Sequence, residues 1–140
     1  MEDLWPMDFG GGSNLKAPSV ILKEQGLLLG QKTANIVIGE VKRAEPATHD
    51  EIGKFSYRFL ISCPSFGYSY ELFSIIHEVV FYPLTIIIED NDVRIELHFP
   101  PRISKMRIKN EEAFKYQLKR IFNTKKLKTI ISSLLAQASK

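Results

Sequence analysis

Hydrophobic and polar residues alternate along the middle of the chain. In residues 55–63 an aromatic, aliphatic or cysteine side chain occupies every second position, and residues 93–99 show the same spacing. Strict alternation is typical of a β-strand with one face on a core and the other in water. Between them, residues 68–77 and 82–90 are rich in aromatic and β-branched residues, which favour strands. The pattern therefore predicts four strands in this region.

The segments that join these strands are short, with one turn at residues 64–67 and another at residues 89–92. Short connections pair successive strands antiparallel, because a parallel partner needs a long crossover. We expect a fifth strand at residues 35–43, with Gly39 as a candidate bulge. Residues 102–109 are expected to form either an edge strand or a basic connector.

Three segments carry helical signals. Residues 18–33 begin with a proline, which suits the first turn of a helix. A second helix is expected over residues 110–122 with Asn110 as its N-cap, and a third begins near Thr124. In the first helix, two glycines one turn apart predict close packing on the sheet. The predicted apolar stripe of that helix is Val20, Ile21, Leu27 and Leu28.

The order of these elements predicts an α+β fold. We expect an antiparallel four- to five-stranded meander sheet, with one N-terminal helix and two C-terminal helices packed on one face. The length of 140 residues fits a single domain over residues 15–140, preceded by a tail over residues 1–14.

Composition excludes some classes of protein. The most apolar run, residues 79–88, is too short for a membrane-spanning helix, which needs about 20 residues. The N-terminus lacks the basic flank and apolar stretch of a secretory signal, so a cytoplasmic protein is expected. The single cysteine, Cys63, excludes an intrachain disulfide and is predicted to be a small buried hydrophobe.

The N-terminal tail combines acidic and large apolar residues ahead of a glycine-rich linker. It is either a disordered chain end or a tethered recognition peptide with Trp5, Met7 and Phe9 as anchors. The linker also resembles an engineered joint. We expect the tail to dock beside the last two helices, of its own domain or of a neighbouring copy, because its acids favour the basic C-terminal third.

Charge is distributed unevenly along the chain. Residues 1–100 carry 8 Lys and Arg against 14 Asp and Glu, a balance of −6, whereas residues 101–140 carry 11 against 2, a balance of +9. Such asymmetry points to an anionic partner, either a nucleic acid or an acidic protein. The candidate basic surface comprises Lys105, Arg107, Lys119, Arg120, Lys125, Lys126 and Lys128.

Two further constellations are candidates for function. Phe66, Tyr68 and Tyr70 follow a turn and are predicted to line a groove at the sheet edge. His77, Glu96 and His98 would meet on the polar face of the sheet as a general acid–base group if residues 93–99 form a strand. A solvated sheet face with cross-strand charge pairs is the favoured explanation of the same residues. Neither a metal-binding signature nor a cofactor motif is present.

Together these features favour a non-catalytic protein-interaction module of the adaptor, inhibitor or immunity type, with a protein or peptide partner and no cofactor or metal. The alternative is a nucleic-acid-associated protein that uses the basic C-terminal third. A small-ligand-binding protein or an enzyme working at the polar sheet face is a second alternative. The sequence does not indicate an oligomeric state.

Overall fold

The computed structural model describes residues 1–10 and 15–138, and its centre is a five-stranded antiparallel sheet in the order β1-β2-β3-β4-β5. The strands are β1 Ile38–Ala44, β2 Phe55–Cys63, β3 Tyr68–His77, β4 Leu84–Ile87 and β5 Lys105–Ile108. The helices are α1 Pro18–Lys32, α2 Asn91–Glu96, α3 Glu111–Phe122 and α4 Lys125–Ala138. The predicted α+β fold, with its meander sheet, N-terminal helix and two C-terminal helices, is confirmed.

The predicted core positions of β2 are partly or fully buried, but Leu60 and Ser62 on its other face are buried as well, so that face is not open to water along the whole strand. Phe59 and Ile61 are buried, and Cys63 is fully buried, which confirms its expected role as a small core residue. The Phe59 ring stacks on Phe73 of β3, with ring centroids 5.4 Å apart, and lies 5.6 Å from the ring of Phe122. These aromatic contacts join the middle of the sheet to the end of α3.

The predicted strand at residues 93–99 is wrong, because this segment begins with α2. Asp90 caps the helix by accepting hydrogen bonds from the backbone N–H groups of Asp92 and Val93. The helix ends in a Schellman turn, in which His98 takes φ 63° and the Phe99 N–H donates to the Arg94 carbonyl at 3.0 Å. The alternation is misleading here because two of its apolar positions, Val93 and Leu97, are also one helical turn apart.

The fifth strand of the sheet is β5, so the edge-strand alternative for residues 102–109 is correct. At the other edge, β1 starts at Ile38, later than predicted, because Ala34 and Asn35 adopt positive φ angles. Gly39 is not a bulge. The irregularity in register lies between Phe59 and Leu60 of β2 instead.

The first helix turns a different face to the core than the sequence pattern predicted. Ile21 and Leu22 are buried, whereas Val20, Leu27 and Leu28 are exposed. Apolar residues lie on two sides of this helix, and the side that packs on the sheet is the one that carries Gly26 and Gly30. The expected close packing is confirmed, because a Cβ built on Gly26 would lie only 2.3 Å from the Gly39 carbonyl oxygen of β1.

The two C-terminal helices cover the other half of the same sheet face. The Asn110 side chain caps α3 by accepting a hydrogen bond from the Ala113 N–H at 2.8 Å, as predicted. The core-facing residues of α3 are Phe114, Leu118 and Ile121, and those of α4 include Leu127 and Leu134.

No helix in the described part of the chain is long and apolar enough to cross a membrane. Residues 1–10 lie outside all helices and strands. The predicted glycine-rich linker falls mostly on residues 11–14, which lie outside the described residues.

Candidate functional site: a groove between the first and the C-terminal helices

A cavity of about 380 Å³ lies between α1 and the pair α3–α4, above the sheet. Phe59 and Ile61 of β2 form its floor. The side of α1 contributes Leu28 and Leu29, and the remaining lining residues are Gln25, Lys32, Phe122, Asn123, Leu127 and Ile131. A mostly apolar concavity of this volume falls in the range of about 300–1,000 Å³ that ligand sites occupy.

A second cavity of about 430 Å³ adjoins the first and shares Gln25, Phe122 and Asn123 with it. It extends toward the start of α1 and is more polar. The other lining residues are Lys16, Ile21, Glu24, Lys115, Leu118 and Lys119. We call the two cavities together the helix groove, with an apolar end at Leu28 and a lysine end at Lys119.

Positive charge dominates the rim of the helix groove, where four lysines face one glutamate. Lys16 pairs with Glu24 at 3.1 Å, and the Lys115 ammonium pairs with Glu111, outside the groove, at 3.0 Å. These side chains are between 39% and 56% exposed, and exposed pairs contribute little to stability. An anionic ligand can therefore replace the glutamates in these ion pairs at little cost in free energy. Among the described residues, Lys119 forms no ion pair.

Local sequence sets the two walls of the groove independently. Gly26 and Gly39 let the backbone of α1 approach the edge strand β1, which holds this wall over one side of the sheet. The other wall depends on α4, whose N-terminus is capped from α2. The N–H groups of Lys125 and Lys126 donate to the two carboxylate oxygens of Glu96 at 2.6 and 2.9 Å.

A partly buried network of hydrogen bonds and ion pairs joins β3, α2 and α4. The hydroxyl of Tyr70 donates to Asp90 Oδ2 at 2.6 Å, and the Lys126 ammonium reaches Asp90 at 3.3 Å and Asp92 at 3.0 Å. Burial by itself would raise the pKa of the Asp90 carboxyl, but the hydrogen bonds from Tyr70 and Val93 and the Lys126 charge hold this pKa below its usual value. Burial, reinforced by Asp90, raises the pKa of Tyr70.

The three residues of the predicted edge groove, Phe66, Tyr68 and Tyr70, line neither cavity of the helix groove. Phe66 is exposed in a short turn of 3₁₀ helix, and the two tyrosines are half-buried against the core. The Tyr70 hydroxyl already donates a hydrogen bond to Asp90. The role of these three residues as a binding site stays a prediction.

The structure does not bring His77, Glu96 and His98 together on a polar sheet face, because the strand that this grouping required is a helix. His77 is buried and stacks between Phe55 and Tyr57, with centroids 5.8 and 6.2 Å away. Glu96 caps α4, and His98 is exposed at the end of α2. The described residues contain no group of three His, Cys, Asp or Glu side chains that could hold a metal ion.

The seven residues of the candidate basic surface are divided among three elements. Lys105 and Arg107 lie on the edge strand β5, and Lys119 lies on the rim of the helix groove. Arg120 donates to the Leu97 carbonyl at 3.1 Å, and Lys126 is paired with aspartates. Lys125 and Lys128 are exposed on α4. Of the set, Lys119 lines the helix groove, where it is joined by Lys16, Lys32 and Lys115.

The anchors of the predicted recognition peptide are exposed. Trp5 is 75% exposed, and Met7 and Phe9 are at least as open to solvent. Local contacts nevertheless shape the segment. The Trp5 and Phe9 rings lie 6.1 Å apart, and Asp3 and Asp8 each accept a hydrogen bond from a backbone N–H two residues onward.

Sequence patterns do not predict the helix groove, because they place Leu28 in the core stripe of α1. The available signal was the glycine pair, which marks the opposite face of the helix as the packed one. Comparison of the chain with protein-family models, with curated proteins and with solved structures finds no match. Its function therefore has to be argued from its own residues.

Proposed function

We propose that this chain is a non-catalytic protein-interaction module, of the adaptor, inhibitor or immunity type, that binds an acidic segment with apolar anchors in the helix groove. The observation that carries the proposal is that the two cavities adjoin each other. An apolar end and a lysine end share Gln25, Phe122 and Asn123, so one extended or helical segment can occupy both.

The two ends supply different parts of recognition. Leu28, Leu29 and Ile131 offer apolar surface to a large side chain, and burial of such anchors dominates binding free energy. The lysines steer acidic ligands and set their orientation, with a smaller effect on affinity. A ligand with an aromatic or large aliphatic anchor next to acidic residues satisfies both ends.

Selection from a phage-displayed library of random dodecapeptides on the full chain tests this proposal. We expect enrichment of peptides that combine aromatic residues with aspartate or glutamate. Fluorescein-labelled synthetic copies should bind the chain by anisotropy. Raising the salt concentration should weaken binding only modestly, because the apolar anchors carry most of the free energy.

Adjacent residues of α1 offer a matched pair of variants. Leu28 is 43% exposed and lines the groove, whereas Leu27 is 69% exposed and does not line it. Leu28→Lys should weaken peptide binding by at least ~10-fold, since the loss of one anchor contact costs more than ~1.4 kcal/mol. Leu27→Lys should leave binding unchanged. Equal binding by both variants, or a selection that enriches no peptide, refutes the proposal.

A further inference from the structure

We infer that the helix groove receives the N-terminal segment, residues 2–9, of a second copy of this chain, so that two copies exchange tails. The inference rests on the proposed function, because it names an occupant for the same groove. It starts from two features of one molecule, an N-terminal segment with three exposed apolar side chains and a groove that the described residues leave unfilled.

The chemistry of the segment complements both ends of the groove. Trp5 and Phe9, with ring centroids 6.1 Å apart, form a two-ring anchor that suits the apolar end. Glu2, Asp3 and Asp8 supply three carboxylates. In the exchanged dimer they would meet a rim that carries Lys16, Lys32, Lys115 and Lys119 against the single acid Glu24.

The exposure of the anchors favours a second copy over the same chain. Trp5 is 75% exposed within a single molecule, although Phe9 precedes Lys16, on the groove rim, by only seven positions. Seven residues span at most ~24 Å. Because the groove and the segment are both open in one molecule, two molecules can fill each other's grooves. Reciprocal exchange about a two-fold axis closes the assembly as a dimer and uses both sites.

The single tryptophan of the chain makes this exchange directly measurable. The Trp5 emission maximum and the molar mass by sedimentation equilibrium are recorded together from about 1 μM to about 1 mM, where weak peptide contacts become populated. We expect the emission to shift to the blue as the mass rises from one copy to two. A synthetic peptide of residues 1–10 gives the emission of the free segment.

Two groove variants and their controls locate the site of docking. Leu28→Lys at the apolar end should weaken dimerisation by at least ~10-fold. Lys119→Glu at the lysine end should weaken it by a smaller factor, about 3-fold, as expected of an exposed rim charge. Leu27→Lys and Lys128→Glu, which change exposed residues outside the groove, should not. Trp5→Ala should also abolish dimerisation. Circular dichroism confirms that each variant is folded.

Three outcomes overturn the inference. Emission equal to that of the free peptide at every concentration shows that the segment does not dock. A blue shift that is independent of concentration shows that it docks in its own chain's groove. A blue shift that survives Leu28→Lys shows that it docks elsewhere. If selected dodecapeptides still bind in a manner sensitive to Leu28→Lys, only the tail exchange fails and the groove function stands.

Discussion

Replacing Gly26 with alanine tests how α1 is held against the sheet. The new Cβ would stand 2.3 Å from the carbonyl oxygen of Gly39, 2.9 Å from its carbonyl carbon and 3.2 Å from its Cα. All three obstacles are backbone atoms of β1. Gly39 cannot retreat without disturbing its pairing with Ile61 of β2. The helix must therefore move outward, which also lifts the Leu28 wall of the groove.

Two opposing contributions set the size of the effect. Alanine in a helix interior is favoured over glycine by about 0.5–1 kcal/mol. Overpacking a close contact costs about 1–3 kcal/mol, and a rigid backbone obstacle places Gly26 at the upper end of that range. We therefore expect Gly26→Ala to lower the free energy of unfolding by about 2 kcal/mol.

Gly30→Ala is the matched control on the same helix. Its Cβ would approach only the side-chain oxygen of Asn35, at 2.8 Å, and the next atom lies 3.6 Å away. A side-chain end can rotate aside, so we expect a change within about 1 kcal/mol of zero. Urea unfolding measures both variants, and the Gly26→Ala midpoint should fall by about 1 M. A Gly26→Ala chain as stable as Gly30→Ala would refute the proposed backbone contact.

Three further predictions follow from the elements around the groove. Glu96→Ala should lower the free energy of unfolding by about 1–2 kcal/mol in urea titrations, because the N-terminus of α4 loses its two acceptors; no loss would show that the cap is unimportant. The pKa of Asp90 is lower in the folded chain than in the unfolded chain, so its ionised carboxylate stabilises the fold at pH values above the unfolded pKa of about 3.9. This stabilisation is lost as the pH falls through the folded pKa. Stability should therefore fall on acidification more steeply in the unmodified chain than in Asp90→Asn, and equal slopes would contradict this. The chain should show no sequence-selective binding to duplex DNA by anisotropy at two salt concentrations, because its basic residues lie on separate elements; selective binding that survives moderate salt would reverse this expectation.

Elements with a long periodic pattern could be predicted from the sequence. Short segments, and helices with apolar residues on two sides, could not. The nine residues of β2 alternate long enough to exclude other structures. In residues 93–99, Val93 and Leu97 suit both a strand face and one helical turn. The outcome depended on the Asp90 cap and on the positive φ of His98. Asp90 is a residue type that suits a helix N-cap, but the polar run at residues 89–92 predicts a turn equally well.

The helix groove could not be predicted from local patterns. A groove is a gap between elements, and its existence depends on how far apart α1 and α4 lie on the sheet. The leucines of α1 occur on two sides of the helix, so periodicity alone does not select Leu22 for the core and Leu28 for the groove. Gly26 and Gly30 indicate which side of α1 is packed. Choosing that side also requires knowing that Gly26 lies against Gly39 of β1, which is a contact between distant parts of the chain.

Backbone amide NMR of the ¹⁵N-labelled full chain, titrated with a selected dodecapeptide, tests most directly whether the helix groove is the binding surface. The amide signals of Leu28, Asn123 and Ile131 should shift along the titration. Those of Arg58 and Thr85 should not, because strand alternation places both side chains on the opposite face of the sheet. Shifts that cluster around Arg58 and Thr85 and leave the groove signals unchanged would contradict the assignment of the helix groove as the binding site.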